Sequence, residues 1–194
     1  MFERVFNLFV HDLRKSLRSC TNTSKKSKLS KPTYYNYLLL DAEKVDTILR
    51  KYYHSQDKTI QNDDIDLFKE ACIYVGKGKK SREFHHTDNI DYRKYNSSSR
   101  SSSATTETLT KYRKCGKKVL VVQLHPEVSH FEAHSREYAM IKCIGINNLS
   151  NKYNGTPFGI MKSTWNQTLI INFGTMILYN ALRMCMNERP VEVF

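Results

Sequence analysis

The chain predicts a fold of mixed class, α/β in the broad sense and α+β in detail: a small, mostly antiparallel sheet of three strands flanked by helices, with a helical extension at the C-terminus. Three observations predict it. Runs rich in aromatic and β-branched residues occur at 34–40, 71–75 and 118–124. Apolar residues recur at helical spacing before, between and after these runs. No internal repeat is present, and 194 residues allow one domain with a proper core plus a short N-terminal addition.

Residues 1–19 put Phe2, Phe6, Phe9, Leu13 and Leu17 on one side of a helix, with Arg4, His11, Arg14 and Lys15 largely elsewhere. Such a helix packs on the domain or serves a partner, either a protein or a membrane surface. Residues 20–32, rich in Ser and Lys and ending at Pro32, read as a basic linker. The domain proper is expected over 33–160. Its first strand, 34–40, runs into Asp41, a helix cap, and then a helix with Val45, Ile48, Leu49 and Tyr52 on its apolar side. Residues 55–64 are loop-like, and Ile65, Leu67 and Phe68 form a short helical turn before the second strand, which breaks at Gly76 and Gly78 into a lysine-rich turn. Residues 82–95 carry a weak helical signal. The Ser/Thr-rich stretch 97–106 predicts a disordered insert, and 108–112 a helix. Lys118-Val-Leu-Val-Val-Gln-Leu124 is the clearest strand, ended by Pro126. A helix follows over 131–146, with Gly145 and Asn148 as stop signals. The segment 161–194 is a helical extension packed on the domain, with Leu169, Ile170, Phe173, Ile177, Ala181 and Met184 on one face.

Lys and Arg outnumber Asp and Glu by 31 to 19, a net charge of +12, which calls for an anionic partner such as nucleic acid or an acidic membrane surface. Five cysteines without a Cys-x-x-Cys pair read as reduced thiols of an intracellular protein of nucleus or cytoplasm. No secretory signal is evident. The longest apolar stretch, 169–186, is interrupted by Asn172, Asn180 and Arg183, so a buried helix is expected there and no transmembrane segment.

Two features carry chemistry. The stretch 73–86, Ile-Tyr-Val-Gly-Lys-Gly-Lys-Lys-Ser-Arg-Glu-Phe-His-His, gathers Lys77, Lys79, Lys80 and Arg82 around two glycines, where the backbone could approach a bulky anion and Arg82 could fork onto phosphate oxygens. A solvated basic loop has the same composition. Glu137 lies on the apolar side of its helix with Ala133, Met140, Ile141 and Ile144, so its carboxylate needs a cation or a strong donor; a buried pair with Lys or Arg would satisfy it as well. His130, His134 and Glu137 also fall at i, i+4 and i+7, a set that could hold zinc, although the order is not that of zinc proteases.

Tyr35-Asn-Tyr-Leu-Leu-Leu-Asp41, Tyr74-Val-Gly-Lys-Gly-Lys79, Arg136-Glu-Tyr-Ala-Met-Ile141 and Asn148-Leu-Ser-Asn151, in this order, resemble the GIY-YIG nuclease superfamily, and most closely the nuclease domain of the ankyrin-repeat and LEM-domain endonucleases. The resemblance extends over about 33–194, since Ser163-Thr-Trp165 and the helix after it are similar to that group's C-terminal extension. The first triplet reads Tyr35-Asn36-Tyr37 in place of Gly-Ile-Tyr, and Val75 stands for Ile. No ankyrin repeat or LEM module precedes residue 33, so a stand-alone nuclease or a fragment of a longer chain is expected.

The resemblance implies a three-stranded sheet flanked by helices, endonuclease activity, and branched or distorted DNA as substrate. It also implies roles. Glu137 matches the metal ligand, and one carboxylate suits Mg²⁺ or Mn²⁺, which keep several waters. Arg82 matches the group that binds the scissile phosphate. Tyr37 and Tyr74 match the motif tyrosines, which could orient or deprotonate water if a cation such as Lys77 lowered a pKa of about 10. His85 is the alternative base, and the choice stays open. Lys77, Lys79, Lys80 and Asn151 are the substrate-binding candidates, Asn151 fixing local geometry or the metal site. The competing function is a non-catalytic nucleic-acid-binding module that retains the basic turn. For the enzyme, Glu137, Arg82 and both tyrosines should converge on one cleft beside Lys77; a Glu137 paired internally with a lysine and leaving no room for an ion would defeat the enzyme reading.

Overall fold

The computed structural model describes residues 2–21, 33–79 and 103–194. The linker, Lys80, Arg82, His85, the helix expected over 82–95 and most of the Ser/Thr-rich insert lie outside the described residues.

Strands β1 (Tyr34–Asp41), β2 (Cys72–Gly78), β3 (Val119–Val128) and β4 (Val191–Val193) form one antiparallel sheet in the order β2-β1-β3-β4. The fourth strand is additional to the three expected. Three residues after Pro190 carry too short a pattern to read, and they become a strand by pairing Val193 with Val119 and Val191 with Val121. β1 is central and covered on both sides, which accounts for its unbroken burial from Tyr35 to Asp41.

The helices are α1 (Phe2–Thr21), α2 (Ala42–His54), α3 (Asn62–Ala71), α4 (Ala104–Lys114), α5 (His130–Ile144), the single turn α6 (Ile160–Ser163) and α7 (Gln167–Asn187). Their ends follow local chemistry. Asp41 accepts from the Lys44 amide at 3.2 Å, Ser129 from Glu132 at 3.2 Å, and Asn166 from Leu169 at 2.9 Å. Gly145, at φ 89, terminates α5 as its position in the sequence predicts.

One face of the sheet, bearing Leu38, Leu40, Val75, Leu120, Val122 and Leu124, packs with residues of α1, α2, α3, α5 and α7 into the main core. The other bears Tyr35, Tyr37, Leu39, Val119 and Val121 and is closed by Leu109 of α4. α5 and α7 approach closely at Gly174, where a Cβ would press on the Ala139 carbonyl. α7 is long and apolar enough to cross a membrane by length and composition, but half of its apolar window is buried inside the fold. α1 packs on the domain: Phe6 stacks on Phe173 at 5.8 Å, and Phe9 meets the Trp165 edge at 5.1 Å.

Several boundaries differ from expectation for identifiable reasons. Part of the 55–64 loop is helical, because the Asp64 carboxylate reaches back to the Gln61 amide at 2.9 Å and starts α3 at Asn62. Ser103–Thr106, assigned by composition to a disordered insert, begin α4: the Ser103 hydroxyl caps the Thr106 amide at 3.1 Å, and Thr105 and Thr106 are buried. β2 does not break at its glycines but runs through Gly76, Lys77 and Gly78, paired with Tyr37, Asn36 and Tyr35. β3 continues past Pro126 to Val128, because positive φ at His125 (48°) and Glu127 (62°) bulges the strand where β4 no longer flanks it. Met184, expected on the buried face of α7, is 45% exposed.

His125 makes stability depend on pH. Its half-buried ring stacks on Phe6 at 5.9 Å with Nε2 enclosed, and desolvation, followed by the charges of Arg136 and Arg14, pulls its pKa down to about 3. The folded state therefore refuses a proton that the unfolded chain accepts below about pH 6.5, and stability falls as pH drops from there towards 3. His125→Asn, which tolerates positive φ, is expected to flatten that part of a denaturant-midpoint-versus-pH curve.

Candidate active site

Tyr37 and Tyr74 come together on the α4 side of the sheet. Gly76 pairs directly with Tyr37 across β1 and β2, and a Cβ at Gly76 would lie 2.6 Å from the Tyr37 hydroxyl oxygen. The glycine is thus required for the phenol, which occupies its side-chain space. The Tyr37 ring is held on either side by Tyr74 at 5.9 Å and Tyr35 at 6.2 Å.

β2 is an edge strand, and the chain after α5 closes its outer side. The Ser150 amide donates to the Ile73 carbonyl at 2.8 Å. The Asn151 side chain then acts as a strand in miniature: its Oδ1 accepts from the Val75 amide at 3.0 Å and its Nδ2 donates to the Val75 carbonyl at 2.7 Å. Between Tyr74 and Gly76 the backbone is therefore fixed from both sides. Both ends of the Asn151 amide are thus engaged by Val75.

On the opposite face of β1 and β2, Lys77 lies across from Asn36 and reaches α5, where its ammonium sits 3.0 Å from Glu137 Oε2. The pair is largely sheltered, with side-chain exposures of 23% and 9%. The Asn36 amide group donates to the Ala133 carbonyl at 2.8 Å and the Gly76 carbonyl at 3.4 Å, stapling α5 to β2. Those two acceptors fix its orientation and leave Oδ1 buried without a partner among the described residues. The sequence marks Asn36 only as the residue that replaces Ile in the first motif triplet and assigns it no role. The signal available was a polar residue inside an otherwise aromatic and apolar central strand.

At the N-terminal end of α5, Lys79 lies over the Tyr34 ring at 4.4 Å, and that ring packs edge-on against His130 at 5.0 Å. The Nε2 atoms of His130 and His134 are 3.0 Å apart. Burial, then the charge of Lys77, lowers both histidine pKa values, that of His134 to about 4, so both rings are neutral at pH 7. The zinc set His130, His134 and Glu137 does not assemble, since Glu137 joins Lys77; among the described residues no group of three or more His, Cys, Asp or Glu side chains converges as a metal site.

The structure thus gathers the sequence-predicted residues into two pairs, Tyr37 with Tyr74 and Lys77 with Glu137, with β2 contributing to both within four residues. Arg82, His85 and Lys80 fall outside the described residues. A family model, the LEM-3-like GIY-YIG domain, matches residues 34–194. The chain belongs to this family. Among curated proteins, the ankyrin repeat and LEM domain-containing protein 1 homolog of Caenorhabditis elegans is 30% identical over 135 residues, covering 63% of this chain and 18% of that protein. The chain therefore spans less than a fifth of that relative's length. No solved structure matches it. Membership in the LEM-3-like GIY-YIG family supports a nuclease function, and the matched region begins at the first residue of β1 and includes the tyrosine pair, Lys77, Glu137 and Asn151. α1 precedes the matched residues yet contributes Phe6, Val10, Leu13 and Leu17 to the GIY-YIG domain's main core.

Proposed function

We propose that the protein is a divalent-metal-dependent endonuclease that hydrolyses phosphodiester bonds in branched or distorted DNA. The observation that carries the reading is the position of β2, which brings the Tyr74 phenol beside Tyr37 and, three residues on, extends Lys77 to a sheltered Glu137. Glu137 would hold Mg²⁺ or Mn²⁺. The donors fit such an ion in one respect: a single carboxylate leaves most of the coordination shell to water and phosphate oxygens, as these hard cations accept. When bound, the ion neutralises charge on the phosphate. The chain's own residues do the rest. A tyrosine phenol would orient the attacking water, the basic residues would hold the DNA backbone, and Lys77, on a four-carbon stem, would be long enough to reach a phosphate beside Glu137. Intracellular action, in nucleus or cytoplasm, accords with this substrate.

The test compares the protein with Glu137→Ala on labelled duplex, flap and four-way-junction DNA in Mg²⁺ or Mn²⁺. Cutting of branched substrates is expected, falling by at least about 10²-fold in the variant while DNA affinity changes little. The Lys77–Glu137 ion pair itself favours a second reading, a DNA-binding module in which the carboxylate is satisfied internally. That reading takes over if both proteins bind alike and neither cuts. Under either reading affinity falls steeply with salt, as a plot of log Kd against log salt will show.

A further inference from the structure

We propose that His130 and His134 form a bidentate site for a late first-row transition metal, Cu²⁺ or Ni²⁺ ahead of Zn²⁺, separate from Glu137. The two residues stand one turn apart on α5 with Nε2 atoms 3.0 Å apart and ring centroids only 4.4 Å apart. That combination decides where the nitrogens point. A linear N–H···N bond of this length would hold the centroids at about 5.4 Å, since each nitrogen lies about 1.2 Å from its ring centre. Two rings sharing a metal at about 2.1 Å on cis positions would hold them at about 4.7 Å. The observed spacing is shorter than either, so the His–His hydrogen bond is bent and both Nε2 atoms stay within reach of one ion placed outside the pair.

The angle at that point selects the metal. A nitrogen separation of 3.0 Å with bonds of about 2.1 Å subtends roughly 90°, the cis angle of square-planar or octahedral Cu²⁺ and Ni²⁺, whereas tetrahedral Zn²⁺ would need about 3.4 Å. The rings are also held in place. Tyr34 and Phe131 pack edge-on against His130 at 5.0 and 5.4 Å, and Phe158 against His134 at 5.6 Å. Both rings are neutral at pH 7, as ligation requires, and His130 is exposed, so the remaining coordination positions open to water or an anionic oxygen. His134 Nδ1 has no acceptor behind it among the described residues, and Lys77 and Lys79 lie near; both limit the affinity to the micromolar range.

Titration of the whole chain with CuSO₄, NiCl₂ and ZnCl₂, followed by calorimetry and by the imidazole C–H resonances, tests the site. One ion per chain is expected, with diamagnetic Zn²⁺ shifting and paramagnetic Cu²⁺ broadening the His130 and His134 resonances, and with Cu²⁺ and Ni²⁺ binding more tightly than Zn²⁺. His130→Gln, a substitution at an exposed position, is expected to weaken binding at least 100-fold, and His134→Gln likewise. Unchanged stoichiometry and affinity in His130→Gln would place the metal on other histidines and overturn the proposal. Glu137→Ala is expected to bind as the unmodified chain does; loss of binding there would assign the ion to the Glu137 site and overturn it too. Neither result depends on whether the protein cuts DNA.

Discussion

Glu132→Ala is expected to lower the unfolding free energy by about 3–5 kcal/mol and Tm by roughly 10 °C. Glu132 is 3% exposed and holds two cations at once. Arg136, itself only 2% exposed, donates to Oε1 from Nε at 3.0 Å and from Nη2 at 2.7 Å. Arg14 of α1 donates from Nε to both carboxylate oxygens at 3.1 and 3.0 Å. The two arginines differ in what they can do once the carboxylate is gone. The Arg14 side chain is 49% exposed and can turn into water. Arg136 lies with its guanidinium 5.8 Å from the Phe6 and Phe173 rings, its Nη1 already without a partner among the described residues, and it would become an uncompensated buried charge. The double variant Glu132→Leu with Arg136→Met removes both buried charges and is expected to recover most of the loss in a urea titration, because a buried ion pair replaced by apolar side chains of similar volume is commonly near neutral. Retention of full stability by Glu132→Ala would mean that Arg136 is not charged and enclosed as described.

The parts of the fold legible in the sequence are those set by local chemistry. Asp41 caps α2 and Gly145 stops α5, because a cap needs only a side chain and a nearby backbone group. The periodicity of α5 put Glu137 on the buried side, where the structure finds it. What pattern could not supply were contacts made by distant segments. β4 exists only because β3 offers it an edge, and the first turn of α4 arises from a serine-rich stretch because Ser103 caps it and Ser150 lies beside it; Thr105 Oγ1 donates to the Ser150 carbonyl at 3.1 Å. In the candidate site the same division holds. The motif tyrosines, Lys77 and Glu137 could be picked out as residues, but the partner of Lys77, the role of Asn36 and the double bond of Asn151 to Val75 depend on how α5 and the loop after it return to β2.

Gly76 makes room for a ring that local pattern could not place there, and its replacement by alanine is expected to remove the proposed cleavage. The methyl group would enter space occupied by the Tyr37 ring, whose hydroxyl oxygen would lie 2.6 Å away. Relief by a flexible side-chain end is not available, since the obstacle is an aromatic ring 1% exposed and bounded by Tyr35 and Tyr74. Relief by strand movement is opposed by the β1 ladder on one side and by Asn151 on the other. Overpacking of this kind costs about 1–3 kcal/mol, and displacement of a reacting group by about 1 Å lowers rates by roughly 10²-fold. Gly76→Ala is therefore expected to lose about 5 °C in Tm and at least 10²-fold in the cleavage rate on junction DNA. Adding Tyr37→Leu vacates the hydroxyl end of the ring and is expected to restore the melting temperature without restoring cleavage. Recovery of both would show that Gly76 matters only for packing and that the Tyr37 phenol takes no part in the reaction.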